Sequence, residues 1–441
     1  MQISNWGKYP TIDAELYAFD NQFDVSNLLG KRSETIARGL GRSYGDSSLA
    51  HEILSTTRFH KILSFDDQQG ILTCECGVSI DEVLKAIVPS GWFLPVVPGT
   101  KYVTIGGAIA SDIHGKNHRS EGCFSDHVLA FDILLSEGSV LSCSRHENSE
   151  LFKATCGGMG LTGLILVATL RLKRIETAYV IQKMIKSAHF TETLELLQKN
   201  DKYTYSVAWL DCLSRGQVTG RGIISLGEHA SLGDIQSRIS VEKIHGMGKR
   251  SFLSVPAHFP GSIMNRATIR IINEILYCKH VNKTHTSLVH YDSYFFPLDR
   301  VAHMNRIYGR RGFVQYQCVL PDDGKAGLQT ILETASRSGY GSFINIIKLF
   351  GASNDNLLSF PMKGFTLAMD FPLHVGLFTM LSRLDAIVLD HGGRLYLTKD
   401  ARMSANMFTR SYTNAERFYR IKVAFDKERK FQSIQSKRLG I

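Results

Sequence analysis

The sequence predicts an α+β protein built from two packed domains. Three observations support this prediction: the chain has 441 residues, 44% of them are hydrophobic, and strand and helix signals alternate through its first half. A globular domain commonly contains about 150 to 250 residues, so this length accommodates two domains. From about residue 178 to 390 longer amphipathic stretches separate β-rich pieces, and this change of pattern indicates where the second domain lies.

The clearest local signal of the first half is a strand followed by a capped helix. Residues 70–77 have the pattern of a strand. Ser79 and Glu82 then form a capping box that opens a helix of periodic apolar residues, and Pro89 follows its end.

The rest of the first half continues as β structure. Residues 131–142 predict a hairpin, and residues 163–172 predict a strand buried on both faces. We expect this half to close near Arg174. In the second half, amphipathic or β-rich patterns occupy residues 192–197, 312–320, 328–338 and 365–371.

The net charge of +10 is spread along the whole sequence. It favours phosphate-bearing ligands or an anionic membrane surface, but the basic residues form no stripe with regular aromatic interleaving, which disfavours nucleic-acid binding. No apolar stretch approaches the roughly 20 residues that span a bilayer, and the N-terminus has no secretory signal. Eight scattered cysteines lack metal-binding spacing, so we predict no metal site, reduced thiols and a cytoplasmic location.

Residues 243–266 mix Gly, Pro, Lys, Arg and Phe without periodicity. A loop of this length in a compact protein is commonly functional or disordered. A disordered surface insertion, a lid and a membrane-contact loop are all compatible with its composition.

Three glycine-rich clusters carry the strongest functional signal. In the first, glycines at 39, 41 and 45 let the backbone come close to a ligand and point N–H groups at phosphate oxygens. This loop lacks the dinucleotide-binding fingerprint of a Rossmann fold, because Tyr44 occupies a position that needs glycine. A plain tight turn would have a similar sequence, so the first cluster alone does not decide between the two.

The second and third clusters strengthen the ligand-site interpretation. Thr104 is placed to cap a short helix whose small first turn, with Gly106 and Gly107, would offer free N–H groups to a diphosphate. The third cluster, residues 156–163, places glycine where a strand begins, as if a flat ring or a ribose lay against the backbone. Three such clusters in one half are difficult to explain by turns alone.

The order of these clusters resembles the vanillyl-alcohol-oxidase class of FAD-binding oxidoreductases, and more narrowly the decaprenylphosphoryl-β-D-ribose 2′-oxidase family. The resemblance continues through residues 308–312, 315–317, 348–351, 359–361 and 392–400. It implies a PCMH-type FAD-binding domain in two parts, residues 1–177 and 394–441. Residues 178–393 would then be an inserted α+β substrate-binding domain built on an antiparallel sheet.

The resemblance also implies the cofactor-binding residues. They would surround the diphosphate, the isoalloxazine and the adenine end of FAD. The set is Arg38, Gly39, Leu40, Gly41, Arg42, Ser43, Tyr44, Pro98, Gly99, Thr100, Thr104, Gly106, Gly107, Ser111, His114, Asn117, His118, Gly160, Gly163, Leu164 and Ile165. Some members of the class attach the flavin covalently through a histidine of the first loop, which this chain lacks, so we expect a noncovalent flavin.

The implied catalytic residues are Lys399, Tyr396 and Gln317. An ammonium group aimed at the N1/C2 carbonyl edge of the flavin would stabilise negative charge that develops as hydride leaves an alcohol. Lys348 would bind a substrate phosphate, and Gln315, together with Gln317 and Tyr396, would orient the sugar. The proton-accepting base is not identified by the sequence.

One position departs from the family pattern. Where the family has a cysteine that lines the substrate pocket, this chain has Ala368, on a wall that Lys399 would share. Flavin chemistry does not require that thiol, but its absence changes the shape of the pocket. Inhibitors that react with the thiol should therefore have no target at this position.

The activity implied is FAD-dependent oxidation of a sugar secondary hydroxyl to a ketone, at C2′ of a polyprenyl-phosphoryl ribose. This is the first half of the epimerisation that makes the arabinose donor for cell-envelope polysaccharide, and a short-chain NAD(P)H-dependent reductase would complete it. A lipid-linked substrate would favour peripheral contact with the inner membrane, at either face. A soluble-sugar or aldonolactone oxidase that uses oxygen, and a flavin-binding protein without turnover, are the alternatives.

Overall fold

The computed structural model describes residues 1–235, 243–246, 253–260, 263–342 and 344–441. Helices and strands are mixed throughout these ranges, which confirms the predicted α+β class. The first 174 residues contain five short α-helices and many short strands. The strands there are β1 (Gln2–Ser4), β2 (Thr11–Asp13), β3 (Glu15–Ala18), β4 (Ile36–Arg38), β5 (Glu52–Ser55), β6 (Ile62–Asp66), β7 (Ile71–Glu75), β8 (Trp92–Phe93), β9 (Val128–Leu134), β10 (Val140–Ser144), β11 (Leu164–Arg171) and β12 (Lys173–Arg174). The helices there are α1 (Gln22–Gly30), α2 (Ile80–Ile87), α3 (Ile105–Ala110), α4 (His118–Glu121) and α5 (Ser149–Thr155).

The later elements are longer. The strands that follow are β13 (Tyr179–Ser187), β14 (Tyr205–Leu210), β15 (Gly222–His229), β16 (Leu253–Ser254), β17 (Thr284–His290), β18 (Val301–Ala302), β19 (Phe313–Leu320), β20 (Asn345–Phe350), β21 (Gly364–Pro372) and β22 (Arg394–Leu395). The helices that follow are α6 (Phe190–Lys199), α7 (Leu232–Ile235), α8 (Arg266–Cys278), α9 (Tyr291–Phe295), α10 (Lys325–Ser338), α11 (Leu377–Asp390), α12 (Ala405–Ser411), α13 (Ala415–Phe425) and α14 (Ile434–Leu439).

An antiparallel sheet of order β10-β9-β11-β7-β6 organises the first half, as counted within the described ranges. The predicted strand, capped helix and hairpin are confirmed: β7 leads into α2, whose N-terminus has the capping box at Ser79, and β9 pairs with β10. β11 lies between β9 and β7, so both of its edges are paired. A separate parallel group, β3-β5-β4, ends at the first glycine-rich cluster.

A second, larger antiparallel sheet has the order β17-β13-β15-β14-β20-β21-β19-β22 in the part of the chain that the structure describes. All nine residues of β21 are buried, since this strand runs between β20 and β19. Cys318 and Val319 of β19 also pair with β22. One edge strand of this sheet, β22, therefore comes from the C-terminal part of the chain.

The C-terminal residues return to the first half. Thr35 donates its N–H to the carbonyl of Lys430 and accepts from the N–H of Gln432, so the chain near 431 lies beside β4. A Cβ at Gly45 would stand 1.8 Å from the carbonyl oxygen of Asp400, so only glycine permits this approach. These contacts support our proposal that residues 394–441 complete the unit formed by residues 1–177, with 178–393 inserted.

Part of the predicted 243–266 loop pairs with residues 301–306 of the same chain. Within it, β16 pairs in parallel with β18, and the N–H of Phe259 donates to the carbonyl of Arg306. Residues 247–252 and 261–262 of this predicted loop lie outside the described residues. None of the helices described for this chain is both long enough and apolar enough to cross a membrane.

The ion pairs of Arg438 provide a test of the C-terminal closure. Its guanidinium lies 2.8 Å from Asp46 and 2.8 Å from Asp400, two carboxylates that are almost fully buried. Arg438→Met leaves both carboxylates without their cation, and we expect the free energy of unfolding to fall by about 3–5 kcal/mol. Chemical denaturation measures this loss.

Arg417 is the matched control, because its side chain and its partner Glu150 are both about half exposed. Arg417→Met should change the free energy of unfolding by less than about 1 kcal/mol. Equal losses in the two variants would show that Arg438 is not a special link between the C-terminal segment and the first half.

Candidate active site

A cavity of about 530 Å³ opens where the two large sheets and the glycine-rich clusters meet. Most of the residues predicted from the sequence line it. They are Arg38, Gly39, Leu40, Gly41, Arg42, Ser43, Tyr44, Pro98, Gly99, Thr100, Thr104, Gly106, Gly107, Ser111, His114, Gly160, Gly163, Ile165, Gln315, Gln317, Lys348, Ala368, Tyr396 and Lys399. The structure therefore brings together backbone from three separated clusters and side chains from the second sheet.

The floor of the cavity is one face of three neighbouring strands. Successive residues of a strand point to opposite faces, so alternate residues share a wall. The alternate residues that line the cavity are 313, 315 and 317 of β19, 344, 346 and 348 on or next to β20, and 366, 368 and 370 of β21. Strand pairing places Gln315 opposite Asp370 and Gln317 opposite Ala368.

The first glycine-rich cluster supplies free backbone donors. Among the described residues, no acceptor receives the N–H groups of residues 40–43, and these residues belong to no helix or strand. Gly41 has a φ of 61°, a left-handed conformation that glycine adopts without strain. At the end of the loop the N–H of Tyr44 donates to the carbonyl of Thr398, 3.0 Å away. The loop thus presents free N–H groups while its end is attached to the C-terminal segment.

The second cluster forms the predicted short helix, but its N–H groups are not free. Thr104 caps α3, as expected, and its hydroxyl accepts the N–H of Gly107. The N–H of Ile105 donates to Val78, and that of Gly106 donates to Cys76. The expectation that this helix start offers free N–H groups to a diphosphate is therefore wrong, because nearby protein atoms already accept them.

The small residues of the second and third clusters instead leave space. A Cβ added at Gly99 would meet no protein atom within 4 Å, and one at Gly160 would meet only Ile36, at 3.7 Å. At Gly107 the nearest contact would be the Thr104 hydroxyl, at 3.0 Å. Side chains at these three positions would fill part of the cavity. Their absence fits a bulky planar ligand that lies close to the backbone.

Three predicted cofactor contacts do not lie on the cavity wall. Asn117 is buried and donates its amide N–H to the carbonyl of Pro95, 2.8 Å away. The ring of His118 packs at a tilt against that of Phe350, at 4.5 Å between ring centroids, and burial lowers the pKa of His118 to about 4. Leu164 is buried within β11. All three predicted contacts are absent from the wall for the same reason: the side chain packs inside the protein, beside the cavity.

His114 does reach the cavity, within a cluster of aromatic rings. Its ring lies 4.8 Å from that of Phe350 and 5.2 Å from that of Tyr396, and the amide of Gln317 donates to its Nε2 at 3.2 Å. Burial, aided by the charge of Lys348, lowers the pKa of His114 well below its usual value, so the imidazole is neutral. Its buried Nδ1 has no hydrogen-bond partner among the described residues.

The residues immediately before and after Lys399 are both fixed by hydrogen bonds, and these hold Lys399 at the cavity. The preceding carbonyl, of Thr398, accepts from Tyr44, and the carboxylate of Asp400 that follows accepts from Arg438 and from two backbone N–H groups. The ammonium group lies 3.8 Å from the ring centroid of Tyr44. Burial lowers the pKa of Lys399, although the charge of Asp370 opposes this effect.

Two further side chains complete the polar wall. Burial lowers the pKa of Lys348 to about 7, and the charge of Lys399 contributes to this shift. The hydroxyl of Tyr396 donates to the carbonyl of Ser111 at 2.9 Å, which ties the C-terminal segment to the end of α3. Two cationic side chains of the wall thus lie in a low dielectric, where an anionic ligand is strongly favoured.

Asp370 and Tyr308 are wall residues that the functional prediction missed. The amide of Gln315 donates to Asp370 Oδ1 at 2.5 Å, and the hydroxyl of Tyr308 donates to Oδ2 at 3.0 Å. A signal for Asp370 was present: it stands two residues from Ala368 on a strand, and i and i+2 share a face. Tyr308 is the last residue of a 3-10 helix, Met304–Tyr308, where the alternation of a strand does not apply.

The cavity therefore fits FAD in three respects. Free N–H groups at 40–43, next to the guanidinium groups of Arg38 and Arg42, suit a diphosphate. The glycine-lined walls leave room for flat rings. A buried ammonium from Lys399 faces the same cavity from the C-terminal segment.

Comparison with known proteins agrees with this fit. Residues 27–144 match a family described as an FAD binding domain. Over 455 aligned positions, the chain is 37% identical to the decaprenylphosphoryl-beta-D-ribose oxidase of Mycolicibacterium smegmatis, covering 100% of this chain and 97% of that protein. Partial matches include the Delta(24)-sterol reductase of Homo sapiens, 32% identical with 25% and 22% of the two chains covered. The L-gulonolactone oxidase of Mus musculus is 24% identical, with 39% and 40% covered.

The partial matches each cover less than half of this chain, whereas the bacterial oxidase matches it from end to end. The full-length match includes both the glycine-rich half and the large antiparallel sheet that forms the cavity floor. The chain is thus an FAD-dependent oxidoreductase that belongs to the decaprenylphosphoryl-β-D-ribose oxidase family.

Proposed function

We propose that the protein oxidises the C2′ hydroxyl of a polyprenyl-phosphoryl ribose to a ketone. The observation that carries this proposal is the full-length relationship to an enzyme named for that substrate. The cavity supports it, because a cationic wall and hydrogen-bonding glutamines on a strand face suit a phosphorylated sugar. The reaction would be the first half of an epimerisation that supplies an arabinose donor for cell-envelope polysaccharide.

The glycine-rich half would hold the cofactor. The N–H groups of residues 40–43, with Arg38 and Arg42, would bind the diphosphate, and Gly107 and Gly160 would let the rings approach the backbone. When bound, FAD supplies the two-electron acceptor for alcohol oxidation. We propose noncovalent binding, since residues 37–46 of the first loop contain no histidine.

Lys399 would stabilise negative charge that develops as the alcohol is oxidised. An ammonium group in a water-poor cavity acts more strongly than one in solution, because the local dielectric constant is low. Its attachment points at Thr398 and Asp400 fix its position before the substrate arrives. Tyr396 would keep α3 against this segment through its bond to Ser111, so its role is to position the catalytic groups.

The substrate would lie over the strand face. Lys348 is the cation we assign to the phosphate, and the negative charge of a phosphodiester beside it would raise its pKa and keep it protonated. Gln315 and Gln317, both on β19, would form hydrogen bonds with the sugar hydroxyls. Ala368 provides a small, unreactive surface where the family pattern has a cysteine.

A polyprenyl chain requires contact with a bilayer, and one face of the molecule suits it. Ile271 and Ile275 lie one turn apart on α8 and are 60% and 61% exposed. Exposed Arg266, Arg270 and Lys279 accompany them. An aliphatic ridge with basic residues is typical of a helix that lies on an anionic membrane. We propose this face as a peripheral membrane contact.

Further exposed apolar side chains lie at or near the rim of the cavity. Leu253 of β16 is 66% exposed, and β16 pairs with β18, whose two residues line the cavity. Leu298 is both exposed and part of the cavity wall. A lipid chain leaving the cavity at this rim would meet apolar side chains before it reached the bilayer.

A reductase partner follows from the chemistry of the product. Epimerisation requires the ketone to be reduced from the opposite face of the sugar, which calls for a separate hydride donor. We propose a short-chain NAD(P)H-dependent reductase for this step.

The proposed function is tested by anaerobic mixing of the flavin-loaded protein with polyprenyl-phosphoryl ribose while flavin absorbance is followed. We expect bleaching with the lipid-linked sugar and little with soluble sugars or aldonolactones. Bleaching by the soluble compounds alone would favour the alternative, a soluble-sugar or aldonolactone oxidase. A protein that takes up no FAD would contradict the cofactor assignment as well.

The role of Lys399 is tested by Lys399→Met. We expect FAD binding to persist and flavin reduction by substrate to slow by at least about 10²-fold, equivalent to about 2.7 kcal/mol of transition-state stabilisation. Single-turnover reduction gives the rate. Lys363→Met is the control, because Lys363 is exposed on the surface near β21. If substrate reduced the flavin of the Lys399→Met variant at the normal rate, Lys399 would have no catalytic role.

The membrane contact is tested by a variant carrying Ile271→Glu and Ile275→Glu. Loss of two aliphatic side chains and gain of two negative charges should weaken binding to phosphatidylglycerol-containing vesicles by at least about 10-fold. Sedimentation with vesicles measures the bound fraction. Phe23→Glu is the control, since Phe23 is exposed on α1 in the first half of the chain. Unchanged binding by the double variant would exclude α8 as the contact.

A further inference from the structure

The wall of the cavity contains a carboxylate that the reaction described above does not use. Asp370 lies on β21 between the paired strands β19 and β20, and its side chain faces the cavity with those of Gln315 and Ala368. Within the described wall residues, the other carboxylate is that of Asp299, which accepts the N–H of Lys101 at 2.8 Å. Asp370 is thus the carboxylate that lies on the same floor as the groups assigned to the sugar.

The hydrogen bonds of Asp370 keep its carboxylate in a fixed orientation. Oδ1 accepts from the Gln315 amide and Oδ2 accepts from the Tyr308 hydroxyl. Tyr308 is itself stacked on Phe313, at 4.0 Å between ring centroids. Each carboxylate oxygen can accept more than one hydrogen bond, so both retain capacity for a substrate hydroxyl.

Tyr44 and His114, two other titratable residues of the buried part of the wall, are poor proton acceptors. Burial raises the pKa of Tyr44 well above its usual value, so its phenol stays protonated. The neutral imidazole of His114 could accept a proton only by becoming a cation beside Lys348 and Lys399, which its lowered pKa disfavours. Lys399 is assigned to stabilise developing negative charge and Lys348 to bind the phosphate, and both roles require a protonated ammonium group.

We propose that Asp370 is the base that accepts the proton of the substrate hydroxyl. This inference rests on the proposed function, the oxidation of a secondary alcohol. The O–H bond breaks, its proton bonds to a carboxylate oxygen of Asp370, and the electron pair left on oxygen forms the C=O bond. The carbon gives its hydride to FAD, so the alcohol loses two electrons and two hydrogens. Lys399 would stabilise the negative charge that the hydride brings to the flavin.

The surroundings of Asp370 suit that role. Burial raises the pKa of Asp370, while the hydrogen bonds from Gln315 and Tyr308 and the charge of Lys399 counteract this rise. A carboxylate whose pKa is raised but stays below neutrality is ionised at pH 7 and is a stronger base than an exposed one.

The experiment compares the pH dependence of kcat/KM for substrate oxidation in the holoenzyme and in three variants. In the wild type we expect kcat/KM to fall at acid pH as Asp370 becomes protonated. Asp370→Asn should lower kcat/KM at neutral pH by at least about 10²-fold and abolish this acid limb. Asp370→Glu should restore the limb and part of the rate.

Tyr308→Phe separates basicity from folding. It keeps the stacked ring and removes one hydrogen bond to the ionised carboxylate, so the pKa of Asp370 should rise and the acid limb should move to higher pH. An acid limb unmoved in Tyr308→Phe and retained in Asp370→Asn would overturn the proposal. If Asp370→Asn does not fold, the displacement of the limb in Tyr308→Phe alone decides the outcome.

A second readout needs no turnover. Because the pKa of Asp370 is higher in the folded than in the unfolded protein, the folded state binds more protons, and the stability contributed by this group falls as pH rises through that interval. Thermal unfolding of the apoprotein should therefore show Asp370→Asn gaining stability relative to wild type as pH rises. A difference in stability that does not change with pH would contradict the assigned titration. Failure of the wild type to oxidise the lipid-linked ribose would instead contradict the proposed function.

Discussion

The closure of the C-terminal segment onto the first glycine-rich loop is the constraint on which the cavity depends. The carbonyl of Thr398 accepts the N–H of Tyr44 from the first loop, the carboxylate of Asp400 is paired with Arg438, and Lys399 stands between these two residues. The ammonium group therefore has a defined position before any ligand binds. Without this closure, the glycine-rich half would have free N–H groups but no fixed cation opposite them, and preorganised charge is what makes such a site effective.

The electrostatics of the cavity follow from burial. Removing lysine side chains from water lowers their pKa values, and Lys348 and Lys399 also repel each other. Asp370 offsets part of this repulsion. An anionic ligand would neutralise the part of the lysine charge that Asp370 does not offset. The same low dielectric that makes two neighbouring lysines costly favours phosphate-bearing ligands in the cavity.

Local sequence rules predicted the elements well and the site in part. The capping box at Ser79 and the cap at Thr104 depend on residues a few positions apart, and both are present. The N–H groups at the start of α3 donate to the carbonyls of Val78 and Cys76, which lie more than 25 residues earlier in the chain. No pattern within the cluster reveals that pairing. His118 was placed at the cofactor for a similar reason: its neighbours suggested a ligand loop, but packing on Phe350 turned it away.

The position of Lys399 late in the chain has a consequence for biogenesis. The cavity needs residues 38–44 from early in the chain and Lys399 from late in it, and Asp400, which follows Lys399, is held by Arg438. A nascent chain still attached to the ribosome can fold its glycine-rich half long before that cation is translated. Cofactor capture in its final geometry must therefore be a late event in synthesis. Truncated translation products would keep the loop with free N–H groups yet lack the lysine to which we assign the catalytic role.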